Sequence, residues 1–175
     1  MKLVGLSGAT AGSKTSKVVH DLLVLAKQMH PELQTNLLDL KEYDMEFVRG
    51  VPLSYYNDDT IAVVKQILQA DILVIASPIY QASLTGALKN LFDLLPENAL
   101  KYKPVGLITL AGSEKHFLVA EHQIKPILSF LKASVPTNHI FVHNDQFDEN
   151  NDIADPNYYR RLQRLVTDLM RLQST

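Results

Sequence analysis

The chain has 175 residues, of which 17 are basic and 19 are acidic, for a formal net charge of −2. This near-neutral balance disfavours a nucleic-acid partner, because proteins usually meet phosphate backbones with a basic face. The absence of cysteine excludes disulfides, thiolate catalysis and cysteine-ligated clusters. No apolar run approaches the roughly 20 residues that cross a bilayer, and the N-terminus lacks the layout of a signal peptide. We therefore expect a cytoplasmic protein without membrane contact, folded as one domain over residues 1–175.

Strand-like and helix-like segments alternate along the chain. Short apolar runs predict five strands, at Lys2–Ser7, Thr35–Leu40, Ile72–Ser77, Pro104–Leu110 and Val135–Val142. Apolar residues at three- or four-residue spacing predict five helices, at Ser13–Gln28, Asp58–Gln69, Leu84–Leu95, Lys115–Lys132 and Pro156–Gln173. This alternation indicates an α/β three-layer sandwich, a parallel sheet with helices on both faces. The flavodoxin-like strand order 2-1-3-4-5 fits best, with a ligand at the switch point between the first and third strands.

The loop that follows the first strand suits a phosphate group. Free N–H groups and the dipole at the start of a helix favour an anion, and Ser13, Thr15 and Ser16 add hydroxyl donors beside the charge of Lys14. The alternative is that these hydroxyls only cap the helix. The glycine spacing in residues 5–12 matches neither the Walker loop nor the dinucleotide fingerprint.

The loop that follows the third strand has the groups needed to hold a planar heterocycle. It comes directly after the apolar run of residues 71–76, at a position where open α/β sheets bind ligands. Tyr80 offers a flat ring, and Ser77, Gln81 and Ser83 offer hydrogen bonds.

The two loops together resemble those of the NADPH-dependent FMN reductases. In the second loop the matching residues are Pro78, Tyr80, Gly86, Lys89, Asn90 and Asp93. The first loop departs from the family pattern in two ways: the order Ser7-Gly8 is reversed, and Lys14 stands where arginine is commoner. Lysine binds phosphate as a point charge and lacks the bidentate fork of arginine. The resemblance extends to about residue 142.

The resemblance implies an FMN site with three parts. The phosphate ligands that it implies are Ser7, Ser13, Lys14, Thr15 and Ser16. The residues that it implies for the ring and ribityl chain are Pro78, Ile79, Tyr80, Gln81 and Ser83. Those implied on the other side of the ring are Ala111, Gly112 and Ser113. Backbone N–H groups beside the ring would stabilise the charge that reduction places there, although Ser113 also suits a helix N-cap.

The activity that the resemblance implies is NAD(P)H-dependent flavin reduction. A hydride from NADPH or NADH passes to FMN N5 and then to a small-molecule acceptor: a flavin, a quinone, an azo compound or oxygen. A flavin-dependent monooxygenase is a further implied partner. Two alternatives stay open, a flavodoxin-type electron carrier and a nucleotide-binding regulatory subunit. The carrier is disfavoured because such carriers have a threonine-rich phosphate loop and strong acidity, which this chain lacks.

The predicted helix 115–132 is apolar on more than one side, which is typical of a helix that also meets a partner. In a monomer it would expose Phe117, Leu118, Phe130 or Leu131, so we expect a homodimer or homotetramer. Pro126 removes the N–H that would bond to the carbonyl of His122, which predicts a kink or bulge there.

A metal site is disfavoured by the positions of the six histidines. His139 and His143 would lie too far apart on one strand to share an ion. The polar loop 143–155 does not fit a calcium loop, because Ile153 stands where the turn glycine belongs. We expect His116 to be a surface residue rather than a flavin ligand.

Overall fold

The computed structural model describes residues 1–174 and contains one five-stranded parallel sheet. Its strands are β1 (Lys2–Ser7), β2 (Gln34–Asp39), β3 (Ile72–Pro78), β4 (Val105–Ala111) and β5 (Ile140–His143). The order β2-β1-β3-β4-β5 confirms the predicted topology. In the register, Leu3 lies opposite Ile72, and Leu73 lies opposite Val105. The carboxyl ends of β1 and β3 are therefore neighbours at one edge of the sheet.

Five α-helices cover the two faces of this sheet. They are α1 (Lys14–Met29), α2 (Asp58–Gln69), α3 (Gly86–Leu94), α4 (Lys125–Phe130) and α5 (Pro156–Gln173). Helices α1 and α5 bury one face, with Val19, Leu22 and Leu162 in that core. Helices α2, α3 and α4 bury the other face, around Leu88 and Leu128. Two apolar cores on either side of one sheet make the predicted three-layer sandwich.

The last predicted strand is shorter than expected. The prediction began at Val135, but β5 begins at Ile140. Pro136 lacks the N–H that a strand ladder needs. Just before it, Ser134 bonds to the start of β4 instead, through Ser134 N–H to the Lys103 carbonyl and Val105 N–H to the Ser134 carbonyl. The chain therefore touches the sheet at a single bridge at Ser134 and resumes continuous pairing only at Ile140.

The predicted helix 115–132 is not one regular helix. A 3-10 turn at Glu114–His116 precedes a π-helical segment at Ala120–Ile124, and α4 follows from Lys125. The predicted bulge near His122 is thus confirmed, and its cause is the N–H that Pro126 lacks.

The remaining helix boundaries differ by only one or two residues from the predicted ones. The largest shift is at α3, which begins at Gly86 rather than Leu84 because Thr85 is its N-cap. Within residues 1–174, no helix combines the length and the apolar character that a membrane span requires.

Candidate functional site

A cavity of about 310 Å³ opens at the carboxyl edge of the sheet, beside the switch point between β1 and β3. Loops that follow β1, β3 and β5, together with the end of β4, contribute to its wall. The lining residues are Ala11, Gly12, Ser13, Lys14, Thr15, Pro78, Tyr80, Leu110, Asn144 and Asn151. Open α/β sheets bind their ligands at this position.

The backbone of the loop after β1 leaves room for a ligand. Gly8 N–H donates to the carbonyl of Ala76, at 2.8 Å, which ties this loop to β3. A Cβ at Gly8 would lie 3.1 Å from that oxygen and 3.3 Å from Leu88 Cβ, so a larger residue would push the loop outward. Gly12 has φ of +77° and nothing within 4 Å of an added Cβ, so it forms an open, tightly turned rim.

The hydroxyls of this loop do not act as ordinary helix caps. Ser13 is the N-cap of α1, yet its side chain accepts no bond from the first turn of the helix. Its hydroxyl instead accepts a bond from Asn151 Nδ2 at 3.2 Å. Ser16 Oγ donates to the Ser13 carbonyl at 3.1 Å. The first backbone N–H groups of α1, which no side chain caps, therefore remain available for an anion, and this favours the phosphate interpretation over the capping one.

Two further polar groups of the loop occupy different environments. Lys14 Nζ donates to the Asn144 carbonyl at 3.3 Å and lies 4.9 Å from the centroid of the Phe147 ring. Ser7 is fully buried at the end of β1, and its Oγ has no hydrogen-bond partner among residues 1–174. A buried hydroxyl without a partner is uncommon, because it loses its bonds to water.

The loop after β3 contains a tight turn at Tyr80–Ser83. Tyr80 and Ser83 exchange backbone hydrogen bonds of 3.0 and 3.1 Å. Between them, Gln81 and Ala82 have φ of 49° and 60°. Left-handed backbone costs non-glycine residues roughly 1–2 kcal/mol each, and such strain is concentrated at functional sites. The turn presents the half-exposed Tyr80 ring to the cavity.

A side chain from the π-helical segment fixes this turn. Gln123 Oε1 accepts from Ser83 Oγ at 2.5 Å, and Gln123 Nε2 donates to the Ala82 carbonyl at 2.8 Å. On the β4 side, Ile79 N–H donates to the Leu110 carbonyl at 2.8 Å. The loop is thus anchored at both ends.

The loop after β4 lies farther from the cavity than the resemblance implies. Ala111 is buried and pairs with His143 on β5. Ser113 Oγ accepts from Lys115 N–H at 3.4 Å, as the N-cap of the 3-10 turn. Gly112 is exposed. Of β4 and its loop, only Leu110 lines the cavity within the described chain.

The structure brings five of the thirteen predicted site residues directly to the cavity wall. These are Ser13, Lys14, Thr15, Pro78 and Tyr80. The other eight lie in the same loops, at the strand ends or in the first turn of α1 without lining the cavity: Ser7, Ser16, Ile79, Gln81, Ser83, Ala111, Gly112 and Ser113.

Asn144 and Asn151 are cavity residues that the sequence did not single out. Both follow β5, whose carboxyl end meets those of β1 and β3 at the same sheet edge, and this placement was the available signal. Their loop is held against α1 by Lys17, whose Nζ lies 2.9 Å from Asp152 and 2.7 Å from Asp21. Burial disfavours the charged form of Lys17 and so lowers its pKa. The two carboxylates together have the larger effect, and the pKa of Lys17 is raised.

The same cluster reaches α5. Tyr158 donates its hydroxyl to Asp21 Oδ2 at 3.2 Å. Burial, followed by the nearby Asp21 charge, raises the pKa of Tyr158. The loop after β5, α1 and α5 therefore form one connected support behind the cavity.

A larger depression, of about 710 Å³, lies between the C-terminal ends of α1 and α5. It is at the opposite edge of the sheet, and Met29 and Met170 contribute to a mainly apolar wall. It contains none of the phosphate-type donors described above, so its size alone does not make it the functional site.

Comparisons with known proteins identify the family to which the chain belongs. The family model for NADPH-dependent FMN reductases matches residues 1–147. An NAD(P)H-dependent FAD/FMN reductase of Geobacillus thermodenitrificans (strain NG80-2) is 44% identical over 172 residues, covering 98% of this chain and 93% of that protein. An FMN reductase (NADPH) of Escherichia coli (strain K12) is 34% identical over 151 residues, covering 83% and 75% of the two chains.

Solved structures show the same fold. The apo form of an NADH:FMN oxidoreductase (EMOB) has a TM-score of 0.79 at 22% identity, covering 98% of this chain and 88% of that one. Oxidised flavodoxin 1 from Bacillus cereus has a TM-score of 0.68 at 11% identity, covering 98% of each chain. With the family comparisons, this fold defines the class of protein: a flavodoxin-like oxidoreductase that uses FMN and a reduced nicotinamide. The chain belongs to the NADPH-dependent FMN reductase family. This membership does not favour the two alternatives, an electron carrier and a nucleotide-binding regulatory subunit.

Proposed function

We propose that this protein binds FMN in the cavity at the carboxyl edge of the sheet and oxidises NADPH or NADH there. The observation that carries the proposal is the convergence of anion donors and an aromatic loop on one cavity at the β1/β3 switch point. When bound, FMN would supply the redox chemistry, as acceptor of the nicotinamide hydride and donor of electrons to a flavin, quinone, azo compound or oxygen. The chain supplies binding, orientation and the electrostatic environment.

The phosphate end of FMN fits the loop after β1. The first turn of α1 offers uncapped N–H groups, and Ser13, Thr15 and Ser16 bring hydroxyls to the same turn. Lys14 adds positive charge; its ammonium group donates to the Asn144 carbonyl and lies over the Phe147 ring. Ser7 lies beneath this loop with its hydroxyl unused by residues 1–174. We assign these five residues to the phosphate.

The ring end of FMN fits the loop after β3, and the loop after β4 adjoins the same cavity. Pro78 and Tyr80 line the cavity, and Ile79, Gln81 and Ser83 form the turn that carries the Tyr80 ring. Ala111, Gly112 and Ser113 do not line the cavity, but an added Cβ at Gly112 would lie 3.5 Å from Nδ2 of Asn144, which does line it. We assign these two groups to the isoalloxazine ring and the ribityl chain.

We further propose a homodimer or homotetramer that assembles through the segment 115–132. Phe117 is 50% exposed and Phe130 is 68% exposed, and Phe130 borders a largely apolar groove of about 450 Å³ between α3 and α4. The expectation of exposure was wrong for Leu131, which is buried in the core. A flavin-dependent monooxygenase that receives reduced flavin is the partner we propose outside the oligomer.

The test is a visible spectrum and a rate assay on purified protein. We expect FMN to bind, and NADPH or NADH to be oxidised only when FMN and an acceptor are present. Absence of oxidation of either nicotinamide with FMN, free flavin, a quinone and an azo dye would refute the proposed activity. A protein that binds FMN and exchanges single electrons without nicotinamide would instead support the electron-carrier alternative.

A further inference from the structure

Gln123 lies in the π-helical segment Ala120–Ile124, on a different element from the loop that it bonds. Its amide makes two hydrogen bonds to the turn at Tyr80–Ser83, accepting from Ser83 Oγ at 2.5 Å and donating to the Ala82 carbonyl at 2.8 Å. The amide thus spans two consecutive residues of the turn, about 40 positions away along the chain. A side chain that uses both its donor and its acceptor on one turn fixes that turn in position and in orientation.

The turn needs such external support. Gln81 and Ala82 both have positive φ, and neither is glycine, asparagine or aspartate, the residues that normally occupy a turn of this type. Two adjacent strained residues persist only where the surroundings hold them. The turn itself contributes just the paired backbone bonds between Tyr80 and Ser83.

The π-helical segment determines where Gln123 points. Successive residues of an α-helix are rotated by about 100° around its axis. A π turn contains more residues per turn, so it changes the direction in which the following side chains point. Lys125 N–H donates to the Ala120 carbonyl, five residues back, which is the hydrogen bond that defines a π turn. The bulge that accompanies Pro126 thereby places Gln123 against the turn at Tyr80–Ser83.

We propose that Gln123 is a positioning residue for the flavin ring, holding the strained Gln81–Ala82 turn in the conformation that presents Tyr80 to the cavity. This inference rests on the proposed FMN site. It also makes the segment 114–130 a direct support of that site, since a shift of the π turn moves the Gln123 amide away from Ser83 and Ala82.

The primary test is Gln123→Met, which keeps the length of the side chain and removes both polar atoms. The matched control is Gln163→Met, on the exposed face of α5. In protein without FMN, amide hydrogen exchange at Tyr80 and Ser83 should become at least about tenfold faster in Gln123→Met and stay unchanged in Gln163→Met. In a fluorescence titration, the Kd for FMN should rise about tenfold, the effect expected from one or two lost hydrogen bonds.

A suppressor separates support of the turn from direct contact with the flavin. Ala82→Gly removes the conformational strain at one of the two residues, so the turn depends less on Gln123. In the Ala82→Gly background, Gln123→Met should raise the Kd for FMN by less than about threefold. A tenfold rise in both backgrounds would overturn the proposal, because the amide would then act on the ligand and not on the turn.

Unchanged FMN affinity and unchanged exchange in Gln123→Met would also overturn the inference, and would leave the proposed activity standing. Conversely, a wild-type protein that binds FMN but oxidises no nicotinamide would refute the activity. The Gln123 assignment would then be judged on FMN affinity and exchange alone.

Discussion

The hydroxyl of Thr85 donates a hydrogen bond to the carbonyl oxygen of Gly8, at 2.6 Å, and so joins the two loops that form the cavity. The same hydroxyl accepts from Leu88 N–H at 3.1 Å, as the N-cap of α3. Thr85 is buried, so loss of its hydroxyl leaves the Gly8 carbonyl without a partner. An unsatisfied buried group costs about 1–3 kcal/mol, and a lost cap costs about 1 kcal/mol.

We therefore expect Thr85→Val to lower the free energy of unfolding by roughly 2 kcal/mol and to weaken FMN binding, since the relative position of the loops changes. Urea denaturation and FMN titration measure the two effects. Thr60→Val is the matched control: Thr60 is also buried and accepts from Glu46 N–H at 2.9 Å, away from the cavity. It should destabilise the fold without changing FMN affinity. Equal FMN affinities for the two variants would contradict this account.

The phosphate loop predicts that FMN binds far more tightly than riboflavin. Riboflavin lacks the phosphate that the start of α1 and its hydroxyls would bind. Ser16→Ala removes the hydroxyl that donates to the Ser13 carbonyl, and should weaken FMN by about 1 kcal/mol. Riboflavin affinity should not change. Equal affinities of the wild-type protein for FMN and riboflavin would remove the basis of the phosphate assignment.

The exposed aromatic face of the segment 115–132 predicts self-association. Phe130→Ser should shift the protein toward monomer in light scattering at micromolar concentration, because it removes a large apolar side chain from the proposed interface. Stability of the monomer should change little, since Phe130 is mostly exposed. Val24→Ser, on α1 at the other face of the sheet, is the control. A wild-type protein that stays monomeric at that concentration would disprove the interface.

Acid should weaken the contacts of the π-helical segment. Lys125 donates to Glu121 Oε1 at 2.5 Å, and His139 Nδ1 lies 3.1 Å from the same oxygen. The hydrogen bond from Lys125 lowers the pKa of Glu121. Burial acts in the opposite direction and His139 adds to the lowering, so the pKa lies below its ordinary value of 4.5. A lowered carboxyl pKa contributes stability above pH 4.5, and that stability is lost as the pH falls through the folded-state value.

Glu121→Gln should therefore cost about 1 kcal/mol or less at neutral pH, because the pair is partly exposed. The difference from the wild type should shrink below pH 4.5. Denaturation midpoints from pH 3 to pH 7 test this, with the exposed Glu149→Gln as the control. A constant difference across that range would show that the carboxylate charge is not responsible.

Several features followed directly from the sequence. The alternation of apolar periodicity limited the strand order to a few topologies, because parallel strands are joined by right-handed crossovers, and the best-fitting of these orders was confirmed. The hydroxyls around Lys14 indicated a phosphate loop, and Pro126 indicated the bulge, since a missing N–H acts locally. Such local signals depend on residue chemistry and spacing, which are read without knowing the neighbours in space.

Other features were decided only by the tertiary structure. Asn151 meets Ser13 across 138 positions, and Gln123 meets Ser83 across 40. The boundary of β5 shifted because Ser134 found partners at Lys103 and Val105. No spacing along the chain encodes such contacts, because each depends on where two loops or strands are placed by the sheet. The sequence thus determined the family fold and indicated the kind of site we propose, while packing between distant segments decided which side chains hold the loops around the cavity in place.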